Sequence, residues 1–173
     1  WPAAHSGPAA SGELPMLKVA DPNFAERTRA SFARQAIMQL LGAEMREVEA
    51  GRVLIALPFK PELTQQHGFF HGGATATIAD SAGGYAGFTL FGPGESVLTV
   101  EFKLNLIAPA DGDCLYAEGR VKKPGRTLTV CELEVWAERN PSQPQLFKVT
   151  EANITYVAID LDGKPRPINP EQA

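Results

Sequence analysis

Apolar positions first recur at helical spacing, at Ala25, Phe32, Ala36 and Leu40, with Arg27, Arg29 and Arg34 on other faces. Asp21-Pro22 supplies a start, Asp as N-cap and Pro at the first helical position, and Gly42 supplies an end. Together they predict one helix over 21–42. From Ala43 the period falls to two. Met45 and Val48 lead into Ala50-Gly51, and Val53, Ile55 and Leu57 then alternate up to Pro58, which predicts a hairpin. Residues 59–71 read as a loop of polar and aromatic groups, and 72–91 as a second helix. Beyond Gly92-Pro93-Gly94 the pattern is all strand. Leu98, Val100, Phe102, Leu104 and Leu106 alternate before Pro109; Leu115, Ala117, Gly119 and Val121 follow, and Pro124-Gly125 turns the chain. Thr127, Thr129, Cys131, Leu133 and Val135 make a third run, and Phe147 to Ile159 a fourth. No internal repeat is present.

The order helix, hairpin, helix, four strands predicts an α+β domain, an antiparallel sheet packed around one helix. A sheet of this size leaves edges, so edge-to-edge pairing of subunits is expected. At 173 residues the chain is the length of one domain, placed here at 21–160. Residues 1–20, rich in Pro, Gly, Ala and Ser, read as a flexible leader or cloning remnant, and 161–173 as a flexible tail. A net charge of −4 excludes a broad basic footprint for nucleic acid. No apolar run approaches the ~20 residues that span a bilayer, and the start has no charged segment followed by an apolar one. A cytoplasmic protein with no membrane partner is therefore expected. The two cysteines, Cys114 and Cys131, fall inside strand patterns and read as small buried hydrophobes rather than nucleophiles.

The chemistry concentrates in QQHGFFHGGATATIADSAGGYAG, residues 65–87. Gly83, Gly84 and Gly87 lie inside the second helix, where each Gly costs about 1 kcal/mol relative to Ala. Such a run is tolerated where a backbone or ligand must come close. Gly73, Ala76, Asp80, Gly84 and Gly87 line up as a strip of tiny residues holding one carboxylate, opposite an apolar stripe of Ile78, Ala82 and Tyr85. An Asp there is either solvent-exposed or held for chemistry; the surrounding glycines favour burial or a ligand. His71-Gly72-Gly73 opens the helix, whose first N–H groups can receive a developing oxyanion. His71 is either an acid–base group or a pin for the loop, and the second reading is preferred. Gly72 and Asp80 are eight residues apart, about 12 Å along the axis at 1.5 Å per residue. One carbonyl cannot meet both in one chain, so a site shared between two copies is expected.

These residues resemble the hotdog-fold acyl-CoA thioesterases of the PaaI-like branch, which includes phenylacetate-pathway and 4-hydroxybenzoyl-CoA enzymes. The resemblance covers about Phe24 to Ile159 and rests on His-Gly-Gly followed by an acid nine positions after the His: His71, Gly72, Gly73 and Asp80. It implies an antiparallel sheet wrapped around a central helix, preceded by an N-terminal helix. By the same resemblance Gly72 N–H polarises the thioester carbonyl, and Asp80 acts as general base toward water or as nucleophile. Gln65, with Gln66 as the alternative, holds the carbonyl or water. Thr99 is the hydroxyl on the following strand, while the hydroxyl that some members carry one turn after the acid is replaced by Gly84. The turn KKPGRT resembles a coenzyme A-binding turn, implying Lys122, Lys123 and Arg126 near the nucleotide phosphates. No metal and no cofactor is implied, since coenzyme A belongs to the substrate, and the assembly implied is a dimer or, by preference, a tetramer.

Two other functions fit the same fold. A non-catalytic acyl-CoA sensor would carry a DNA-binding segment, for which the first 20 residues are too short and not basic. A dehydratase would pair a catalytic His with a helix acid in a different local pattern. Phe69, Phe70, Tyr85 and Phe88 are candidates either for the core or for an acyl pocket.

Overall fold

A computed structural model describes residues 17–140 and 142–168. Two short helices, α1 (Phe24–Phe32) and α2 (Ala36–Leu41), precede the hairpin β1 (Glu44–Glu49) and β2 (Arg52–Pro58). A single 3-10 turn, Pro61–Leu63, leads to the long helix α3 (Gly72–Phe88). Four strands follow: β3 (Ser96–Leu106), β4 (Cys114–Pro124), β5 (Leu128–Arg139) and β6 (Gln145–Ile159). The six strands form one antiparallel sheet in the order β1-β2-β4-β5-β6-β3.

The sheet curls around α3, helped by register shifts in β1, β3, β4 and β6 that bend the strands. From Ser81 to Phe88 every residue of α3 is buried, which is why that half is apolar on all sides. Helix and sheet come close at Gly119 of β4. A Cβ there would lie 2.5 Å from the Ala82 carbonyl, so only Gly fits. The other side of α3 is closed by α1. Arg27 Nη2 donates to the carbonyls of Phe88 and Phe91, satisfying helix-end acceptors, and Phe32 meets Tyr85 edge-on at 5.8 Å.

The α+β expectation, sheet around central helix with helix in front, matches this architecture. The single helix expected over 21–42 is instead two, broken at 33–35. Asp21 is not the cap: its Oδ1 accepts the Asn23 N–H, its Oδ2 accepts from Arg27 Nε, and Asn23 occupies the N-cap position. Gly42 does end α2, in the left-handed conformation at φ 74°. Residues 1–16 of the expected leader and 169–173 of the expected tail lie outside the described residues. Within them, Leu17 and Val19 pack on the core, and Ile168 is buried with its N–H on the Arg126 carbonyl.

Candidate active site

The start of α3 is built by His71. Its Nδ1 accepts the Gly73 N–H at 2.8 Å, while its carbonyl accepts from Ala74 and Thr75. A Cβ on Gly73 would sit 2.9 Å from Nδ1, so the glycine makes room for this cap. Among the described residues the Gly72 N–H has no acceptor. The loop before it is tightly closed: Gln65 N–H donates to Phe69 O, Gly68 N–H to Gln65 O, and Gln65 Oε1 accepts the His67 N–H. Gln65, Phe69, Gly72, Thr75, Leu106 and Thr150 share the wall of an open cavity of about 540 Å³. The Thr150 hydroxyl is buried there and, among the described residues, has no hydrogen-bond partner. Gln66 is exposed on the loop beside His67 and does not line this cavity.

Asp80 lies two turns further on and is held from two strands. Thr99 Oγ1 of β3 donates to Asp80 Oδ1 at 2.8 Å, and the Tyr156 hydroxyl of β6 donates to the Asp80 carbonyl at 2.8 Å. The carboxylate is partly exposed on the wall of a cavity of about 190 Å³. That cavity runs along α3 past Gly84, Tyr85 and Phe88, and α1 and its C-terminal turn close it with Ser31 and Gln35. A second hollow, between Thr77 and Phe102, reaches Asp80 from the side facing the edge of the sheet.

Two groups of candidate residues therefore stand apart in one chain, Gln65 with Gly72 and Asp80 with Thr99. The small-residue strip is not one open face. Gly84 and Gly87 are buried against Tyr156 and Thr129 of the chain's own sheet, leaving Gly73, Ala76 and Asp80 accessible. Lys122, Lys123 and Arg126 are exposed at the β4–β5 turn, with Lys122 Nζ 3.4 Å from Glu132. The strand leaving that turn packs Thr129 on Gly87, near the opposite end of α3 from Gly72. Of the four candidate aromatics, Phe69 and Phe70 line the Gly72 cavity and Tyr85 and Phe88 the Asp80 cavity. Cys131 donates to the Gly83 carbonyl, and burial pushes its thiol up to about 12; burial also raises Cys114. Among the described residues no group of three or more His, Cys, Asp or Glu could hold a metal, and no helix is long and apolar enough to cross a membrane. Tyr156 and Thr150 were not legible in the sequence, because alternation assigns a residue to a face and not to a height along α3.

Residues 67–143, which include Gly72, Asp80 and Thr99, match the family model of the thioesterase superfamily. A protein of Saccharolobus solfataricus, provisionally named an esterase, is 33% identical over 98 residues, 57% of this chain and 69% of that one. The chain belongs to the thioesterase superfamily. The crystal structure of a thioesterase family protein from Silicibacter pomeroyi superposes with a TM-score of 0.75 at 42% identity, over 79% of this thioesterase and 98% of that chain. The acyl-CoA thioester hydrolase YciA of Salmonella typhimurium is 45% identical over 67 residues, 38% of this chain and about half (49%) of the relative. The E. coli PaaI protein of the phenylacetic acid degradation operon shares the fold, with a TM-score of 0.69 at 20% identity over 81% of this chain and 96% of that one.

Proposed function

We propose that this thioesterase hydrolyses acyl-coenzyme A thioesters to free acid and coenzyme A, with Asp80 as the reacting carboxylate. The observation that carries the reading is the placement of Asp80: a lone carboxylate on the wall of an acyl-sized cavity, with one oxygen fixed by Thr99. Fixing Oδ1 leaves Oδ2 free to take a proton from water, or to attack the thioester carbon itself. In the first route water oxygen bonds to the carbonyl carbon and its proton passes to Asp80. The C–S bond then breaks, and the proton goes on to the departing thiolate. The unpartnered Gly72 N–H at the positive end of α3 stabilises the oxyanion, where a preorganised donor acts most strongly. Gln65 lines the same cavity and orients the carbonyl.

The two half-sites are joined by self-association. Strand β3 is one of the sheet's two edges and carries Leu98, Val100, Phe102 and Leu106 exposed, an apolar edge that a second copy would cover. Two-fold pairing along it sets Gly72 of one chain against Asp80 of the other, and pairing of two such dimers gives a tetramer. Lys123 and Arg126 are exposed cations suited to the nucleotide phosphates; no further cofactor is invoked. The acyl group is placed in the 190 Å³ cavity, a little larger than the 150 Å³ hollow that holds one benzene in an engineered core. Compact acyl groups should accordingly outrun long chains.

The test is thiol release across a panel of acyl-CoA esters, from acetyl and benzoyl to palmitoyl, for the native protein and Asp80→Asn. Turnover on compact esters and a loss on the order of 10²-fold or more in the variant are expected. Native rates in a folded Asp80→Asn protein would overturn the assignment.

A further inference from the structure

Tyr156 stands out among the residues around Asp80 because the helix is shaped to admit it. A Cβ on Gly83 would lie 2.4 Å from the Tyr156 hydroxyl oxygen, and one on Gly84 would lie 3.4 Å from its ring. Two adjacent glycines inside a helix carry a propensity cost of about 1 kcal/mol each; here Gly83 clears the space that the phenol hydroxyl fills, and Gly84 lies against the ring. Tyr156 is 1% exposed, and its hydroxyl donates at 2.8 Å to the backbone carbonyl of Asp80. Burial raises its pKa well above the ordinary phenol value, so the hydroxyl stays a donor at every working pH.

Thr99 and Tyr156 are direct partners across the β3–β6 ladder, and the register shift in β3 falls just after Thr99. Two neighbouring side chains on one face of the sheet therefore grip the same residue, one at its carboxylate and the other at its backbone. We propose that Tyr156 is a positioning residue of the hydrolysis, forming with Thr99 a single clamp that fixes the height and roll of α3 at Asp80. Thr99 alone fixes the direction of the carboxylate, but its hydroxyl can follow a helix that rocks. The Tyr156 bond removes that freedom. This inference rests on Asp80 being the reacting group.

The experiment compares Tyr156→Phe, Thr99→Val, the double variant and Asp80→Asn on one compact acyl-CoA, with a thermal melt of each. Tyr156→Phe is expected to lower kcat by about ten- to a hundredfold with KM unchanged, the scale of a misplaced catalytic group. The double variant should lose little more than the worse single, because neighbours serving one function are not additive. A role confined to packing would lower the melting temperature and leave kcat per folded molecule unaltered. If Tyr156→Phe does not fold, 4-fluorophenylalanine at position 156 refills the space under Gly83 without a donor and must show the same kcat loss. Native kcat in either protein, with Asp80→Asn inactive, overturns the clamp and leaves the assignment of Asp80 standing. Activity in Asp80→Asn overturns the assignment itself.

Discussion

His71 has the side chain of an acid–base group, and in the structure its ring caps the backbone of a helix. Its Nδ1 accepts the Gly73 N–H, so the ring does at the helix start what Ser or Asn usually does. Asn at this position can make the same bond, whereas Ala cannot. His71→Asn should keep turnover within about twofold, while His71→Ala should lose on the order of 1 kcal/mol, a fall in melting temperature of about 2–4 °C. Steady-state rates and thermal melts on the two variants check this. A kcat collapse in a stable His71→Asn protein would assign His71 to proton transfer. Gly72 and Asp80 drew notice in the sequence because a helix bearing glycines and one carboxylate is locally improbable, whereas Gln65 and Thr99 were named only through the family resemblance. Tyr156 was not, since nothing in TYVAI distinguishes a phenol that reaches α3 from one that only fills the core.

Helix α3 carries two different messages along its length. Its first half is open, with His71, Gly73, Ala76 and Asp80 reaching solvent, and its second half is enclosed by sheet and α1. Helical periodicity placed Gly84 and Gly87 on the Asp80 face but could not show that the chain's own Tyr156 and Thr129 already cover them. The strand positions fared better, because turn residues bound each run, although β2 is buried almost throughout and β3 is exposed along most of its length. The front helix was read as one because its apolar spacing runs through the break at 33–35. The enclosed half also holds Cys131, hydrogen-bonded to Gly83 O with its thiol pushed up to about 12 by burial. In the unfolded chain that thiol ionises near its ordinary value of about 8.5. The contribution of this burial to stability is therefore complete below that range and is lost as pH rises through it toward 12. Cys131 in the native protein should resist a disulfide reagent at pH 8 and react fully only in denaturant. Prompt labelling under native conditions would show that α3 separates from β5.

At the scale of the whole molecule, the proposed mechanism divides the site into two halves and gives the apolar edge strand β3 a use. Gly72 and Asp80, about 12 Å apart along α3, cannot serve one thioester carbon from the same helix, and exposed Leu98, Val100, Phe102 and Leu106 give a second copy a surface to cover. The eight-residue spacing was legible in the sequence, whereas the identity of the edge strands required the sheet order. The claim that both groups act on one thioester from different chains is tested by complementation. Asp80→Asn and Gly72→Val are each prepared as inactive proteins; the valine Cβ meets Leu106 at 3.0 Å and its bulk covers the oxyanion position. The two are mixed, exchanged, and assayed for thiol release. With random exchange half the dimers are mixed, each with one intact site of two, so activity should return to about a quarter of the native value. No return of activity after exchange is confirmed by mass would contradict the account and place both groups in one chain.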